Sequence, residues 1–310
     1  MSKPFMTYDQ QIELLRTKGL VIADEALARD SLMRIGYFQL IGGYKHPFKN
    51  ATTKQYKDGV SFSDILALYR FDIEMRHAFL GQLLFVEKEI KAQIAYCFCN
   101  KYGEAQGQYL TPTNYNYTPK TQSDVQRLVG MLQRLANSPT DYPYINHQQR
   151  VHHNVPLWVL INAITFGSMS KMFDLLPQSL QSQVCKNYPL TINQMKPMLS
   201  VLTKYRNACA HGERIFSYTT KDDMPDLQLH SKLSIPQRGT QFLQGKRDLF
   251  AVMLALRYLL PDKVFKNFKN TIVKLLHRFE SDCTVLSEQE LLKEMGFPQN
   301  WKDLTRYRLK

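Results

Sequence analysis

The chain is poor in cysteine and in long apolar runs, and each shortage removes a class of protein. Five cysteines (Cys97, Cys99, Cys185, Cys209, Cys283) are odd in number and scattered, with no C-x-x-C pair. That pattern argues against a disulfide framework or a zinc knuckle and suits a reducing compartment. No apolar stretch approaches the roughly 18–20 residues of a membrane-spanning helix. The nearest, 79–94, is interrupted by Glu87, Lys88, Glu89 and Lys91. Met1-Ser2-Lys3-Pro4 leads straight into polar residues, so no signal peptide is expected. Internal repeats, low-complexity tracts and a glycine-rich phosphate loop are missing too. The expectation is a cytoplasmic protein with no metal, no cofactor and no membrane partner. His147, His152 and His153 are not accompanied by carboxylates or cysteines at ligand spacing.

What the chain has in excess is positive charge. Forty Lys and Arg against 27 Asp and Glu give a formal net charge of +13 and a pI near 9.4. Such a balance favours polyanionic partners, nucleic acid first and an acidic membrane surface second. With 310 residues, 44% of them hydrophobic, the chain can bury a large core.

The apolar spacing is helical nearly throughout, so the fold class is all-α. Thr7-x-x-Gln10 and Thr191-x-x-Gln194 read as capping boxes, and Asp24 as the cap of a second helix. Ser61 or Ser63 opens the longest pattern, which reaches Gly103 and repeats Leu66, Tyr69, Ile73, Leu80, Leu83, Leu84, Ile90 and Ile94. Helices are expected over about 121–136, from Trp158 to Leu176 with a break at Gly167-Ser168, and from Thr191 to Gly212. Two more fall at about 246–260 and 262–280, with a short one at 287–295. Residues 49–60 and Tyr109 to Thr118 read as loops, 137–154 as the internal linker, and 213–245 as irregular with room for a hairpin. Tyr115, Tyr117, Tyr142 and Tyr144 suit either base stacking or anchoring of loops on the core.

One stretch carries chemistry: Tyr205-Arg206-Asn207-Ala208-Cys209-Ala210-His211-Gly212-Glu213-Arg214. It sets a permanent cation and the one side chain that titrates near neutrality five residues apart, at the end of a helix. Arginine can grip a phosphate with two parallel hydrogen bonds, and histidine can move a proton. RNA carries its own nucleophile, the 2′-hydroxyl, so the pair is enough for cleavage without a metal. On an ideal helix, however, Arg206 and His211 lie about 140° apart. They converge on one phosphate only at a distorted helix end or against a second copy of the motif. Cys209, between them on the helical stripe, reads as core and not as a nucleophile.

R-N-x-x-x-H resembles the signature of HEPN-domain ribonucleases. The surrounding series resembles one branch of them, the bacterial abortive-infection Abi family of the AbiD/AbiF type. The matching residues are Tyr8-Asp9-Gln10-Gln11, Leu14-Leu15, Lys18-Gly19-Leu20, Ile35-Gly36-Tyr37-Phe38 and Gly43-Tyr44 with Pro47-Phe48. Tyr69-x-Phe71-Asp72 then leads to Glu87 and Lys91, and Pro156-x-Trp158 to Thr165-Phe166-Gly167-Ser168-Met169-Ser170-Lys171. The resemblance runs in order from about residue 5 to about residue 215. It implies a HEPN-like helical bundle over 61–280, with a helical accessory unit at 1–60 and a helical tail at 281–310.

It further implies a metal-independent endoribonuclease, a toxin in phage defence, that acts as a homodimer with facing motifs. Such a toxin needs restraint, by an antitoxin or a structured non-coding RNA. Arg206, His211 and Asn207 take the catalytic positions, and Glu87 matches the family's acidic residue, placed to orient Arg206 from behind. Lys91, Arg214 and the basic arc Lys263, Lys266, Lys274 and Arg278 are the expected RNA contacts. That arc lies opposite an apolar stripe of Phe265, Phe268, Ile272, Leu275, Leu276 and Phe279. A bland solvated face is the first reading of that arc and an RNA rail the second. The alternatives by class are a non-catalytic RNA-binding protein and a protein–protein adaptor.

Overall fold

In a computed structural model of the chain, residues 4–309 are described. The architecture is an all-α bundle, with one two-residue hairpin as the only paired strands among those residues. The α-helices in chain order are α1 (Tyr8–Thr17), α2 (Glu25–Ile35), α3 (Phe62–Tyr102), α4 (Gln106–Leu110), α5 (Gln122–Asn137), α6 (Pro143–His147) and α7 (Leu157–Leu160). They continue with α8 (Phe166–Leu175), α9 (Gln178–Cys185), α10 (Ile192–Ala210), α11 (Gln228–Lys232), α12 (Leu249–Leu259), α13 (Asp262–Asp282) and α14 (Glu288–Glu294). No helix among the described residues is long and apolar enough to cross a membrane.

Local chemistry sets the boundaries. The Thr7, Thr191 and Ser61 hydroxyls each accept from the backbone three residues on, and the N3 side chain answers each. Asp24 caps α2 alone. The 41-residue α3, roughly 60 Å long, is the mast of the fold. Its first two turns are buried on nearly all sides, and from Phe79 to Phe98 its buried residues follow one side, where α7, α9, α10 and α13 pack along it. Phe268 and Phe279 of α13 meet Phe79 and Phe71 of α3 at ring distances of 5.0 and 5.2 Å. The α13 basic arc therefore faces outward. Leu84, read as part of the buried stripe, is instead exposed.

Two expectations change in detail. The 157–176 segment breaks earlier than Gly167, in a 3-10 turn at Ile161–Ala163 followed by extended Ile164. There Thr165 caps α8 through the Ser168 N–H. Gly167 starts α8 close to α10; a Cβ there would sit 3.4 Å from Thr203 Cγ2. Residues 137–154 are no open linker, since α6 and a π-turn at Gln148–His152 occupy them and Ile145 is fully buried.

Candidate active site

Helix α10 ends in a paired hydrogen-bond closure that fixes His211. Gly212, at φ +72°, takes the left-handed position that a residue with a Cβ disfavours. The Glu213 N–H then reaches the Ala208 carbonyl (2.9 Å) and the Gly212 N–H the Cys209 carbonyl (3.3 Å). This is a Schellman closure, and His211 is its C-cap residue, exposed at the helix end.

The chain leaving His211 is clamped by a buried polar knot on α3. Asp72, fully buried, accepts from the Phe216 N–H (2.8 Å) and the Ile215 N–H (3.2 Å). Its other oxygen accepts from Tyr44 Oη (2.8 Å) and Arg76 Nη1 (2.7 Å). Arg76 Nη1 also donates to the Glu213 carbonyl at 3.3 Å. Burial pushes the Asp72 carboxyl up, against the pull of Arg76, Tyr44 and the two amides. Burial raises the Tyr44 phenol as well, so it stays a donor. Arg214 donates to the Gly43 carbonyl and lies over the Phe216 ring, 5.7 Å from its centroid. Three segments thus converge beside His211: 38–44, 69–76 and 211–219. They line an open cleft of about 620 Å³.

Arg206 looks elsewhere. Its Nε meets Glu87 Oε2 at 3.3 Å, through one nitrogen. Glu87 Oε1 accepts from Lys91 Nζ (2.8 Å), which also donates to the Ile164 carbonyl (2.5 Å). Glu87 and Lys91 are both buried, so theirs is no surface pair. At about 1.5 Å per residue, the Glu87 and Arg76 levels of α3 are roughly 16 Å apart. Arg206 does not line the cleft that His211 lines.

Other expected site residues sort by exposure. Lys91 is a correction: its ammonium is buried and bonded inside the fold, not offered to RNA. Asn207 is exposed, and its side chain bonds nothing among the described residues. Cys209 is buried, and burial pushes its thiol up to about 12, which leaves little thiolate to act as a nucleophile. Lys263, Lys266 and Lys274 are exposed on α13; Arg278 is exposed but doubly bonded to Glu74 of α3. Tyr115 is buried, its hydroxyl on the Tyr109 carbonyl, while Tyr117, Tyr142 and Tyr144 are partly exposed.

The Tyr44–Asp72–Arg76 knot and the cleft itself were missed from sequence. Tyr44 and Asp72 stood in the quoted series without a role. The one available signal was the Asp72–Arg76 spacing, one helical turn, which marks an i,i+4 ion pair.

A family model described as Abi-like protein matches residues 30–217. No curated protein matches the chain, and no solved structure does.

Proposed function

The chain belongs to the Abi-like protein family, and from that premise we propose that it acts in abortive infection as a metal-independent endoribonuclease. One observation carries the reading. The only histidine of the signature stands at a capped helix end and lines a polar cleft with two arginines, Arg76 and Arg214, in its lining.

The chemistry follows from RNA itself. A histidine takes the proton of the 2′-hydroxyl as its oxygen attacks the neighbouring phosphorus. The P–O5′ bond breaks, and an acid returns a proton to the leaving 5′-oxygen. The products are a 2′,3′-cyclic phosphate and a 5′-hydroxyl end. Arginine offsets the charge added to the non-bridging oxygens. Arg206 bonds to Glu87 and does not line the cleft that His211 lines, so the reading includes a homodimer in which Arg206 of one copy serves His211 of the other. Glu87 and Lys91 then act from behind, holding Arg206 in place. DNA, without the 2′-hydroxyl, is spared. Restraint by an antitoxin or a structured RNA belongs to the same reading.

The test is cleavage of RNA by purified protein in EDTA, with end-group analysis. His211→Ala and Arg206→Ala each lose cleavage and toxicity while keeping the fold. Full activity in both variants, or activity lost in chelator and restored by a divalent ion, refutes the reading. RNA binding without any 5′-hydroxyl ends would instead favour a non-catalytic RNA-binding role.

A further inference from the structure

The cleft beside His211 holds more than proton transfer requires. Its volume of about 620 Å³ is in the range of sites for small organic ligands. At its floor Arg76 is only 7% exposed, and every hydrogen bond it makes among the described residues uses Nη1. Nε and Nη2 remain as donors. Arg214 has no carboxylate partner among the described residues; it is steadied by the Gly43 carbonyl and the Phe216 face. Asp72 balances Arg76, and Glu213 is the one carboxylate in the lining.

The rim is of another kind. Phe38 is 87% exposed, although it lines the same cleft. It begins the Phe38–Gly42 π-turn, a geometry found often at functional sites. Its ring lies across Gly42, where a Cβ would come 3.5 Å from Phe38 Cδ2. An aromatic face at the mouth, an amide (Gln39) beside it and guanidinium groups at the base match three parts of a nucleotide. These are a base to stack, base edges to bond and a phosphate to hold.

We propose that this cleft is a nucleotide subsite that takes one unpaired base of single-stranded RNA across Phe38 and the adjoining phosphate at Arg214 and Arg76, beside His211. The proposal rests on the endoribonuclease reading for the identity of its polyanion. A duplex keeps its bases stacked and presents no free face to Phe38, so the subsite selects unpaired RNA.

The experiment measures equilibrium binding of a 2′-O-methyl single-stranded octanucleotide, which cannot be cleaved, and of its duplex. Phe38→Ala should weaken single-strand binding roughly five- to 150-fold, the range for loss of one base–aromatic stack. Phe38→Trp should retain it. Phe38 is exposed, so neither change touches the core. Phe5→Ala, at an exposed phenylalanine outside the cleft, should leave binding unchanged. The proposal is overturned by unchanged single-strand affinity in Phe38→Ala, by an equal loss on the duplex, or by an equal loss in Phe5→Ala. A separate assay scores cleavage of unmodified RNA by wild type. Phe38-dependent binding without cleavage leaves the subsite standing and removes the enzymatic reading. Cleavage that ignores Phe38 does the reverse.

Discussion

At the scale of the residue, two buried charge groups hold the site, and they differ in what each supports. Asp72 fixes the backbone that leaves His211; Glu87 fixes the Arg206 side chain. A buried ion pair contributes little beyond an apolar replacement, but losing one partner strands the other in low dielectric. Asp72→Asn therefore costs about 3–5 kcal/mol, because Arg76 loses its counter-charge. Tyr44→Phe removes one hydrogen bond to that charge and costs about 1.5–3 kcal/mol. Urea unfolding of both variants checks the order; Tyr44→Phe costing more than Asp72→Asn would refute it. Glu87→Ala likewise strands Lys91, and adding Lys91→Met should recover part of the loss. The exposed Arg278–Glu74 pair is worth little by comparison. These roles were only half legible in the sequence. The signature names Arg206 and His211 because their chemistry is local. Lys91 misled because a lysine in a chain of net charge +13 reads as a polyanion contact until its burial is known.

At the scale of the element, the helices were legible because their signals are local. Capping boxes, 3.6-residue spacing and Gly212 act within one or two turns of the residues that show them. The break at Ile161–Ala163 and the π-turns answer to tertiary packing and leave no such mark. Helix α12 shows a further tertiary effect, at its cap. Asp248 accepts from the Ala251 N–H at 3.0 Å, while Gly296, at φ +77°, passes over it. A Cβ on Gly296 would fall 2.3 Å from Asp248 Cγ, so Gly296→Ala should destabilise strongly. Burial pushes the Asp248 carboxyl up to about 7, against the pull of the amides it caps. An unfolded aspartate titrates near 3.9, so the native state is the better proton binder between about pH 4 and 7. Stability from this group is therefore full below about pH 4, falls as pH rises to about 7, and is level beyond. Asp248→Asn keeps a good cap and removes the titration. Its advantage over wild type should grow from pH 5 to pH 8 by at most a few kcal/mol, and parallel stability curves would sink this account. On α13, charge reversal at Lys266 and Lys274 decides between rail and solvated face. A rail loses about 0.7 from its log–log salt slope for each phosphate contact removed on single strands; a solvated face loses nothing.

At the scale of the whole molecule, the open question set by the geometry is how Arg206 meets His211. The cleft and the Glu87 level of α3 lie apart, and one chain carries a single signature. In the proposed homodimer a second copy supplies the missing half. Leu84, Phe85 and Tyr96 of α3 are 44, 45 and 71% exposed, and Trp158 beside them is 50% exposed. Phe85, Ala92 and Tyr96 share one face of α3, with Lys88 and Glu89 between them, on the side opposite Glu87. Apolar residues scattered in this way on a surface need no explanation, and this face does not bring two copies of Arg206 together. Mixing Arg206→Ala with His211→Ala chains should restore up to about one site per heterodimer, because each supplies what the other lacks. Light scattering and cleavage are read on the same samples. Full cleavage by a species that scatters as a monomer, or no complementation in a mixture shown to exchange subunits, would place both halves of the chemistry within one chain and pass the charge-offsetting role of Arg206 at the cleaved phosphate to Arg76 and Arg214.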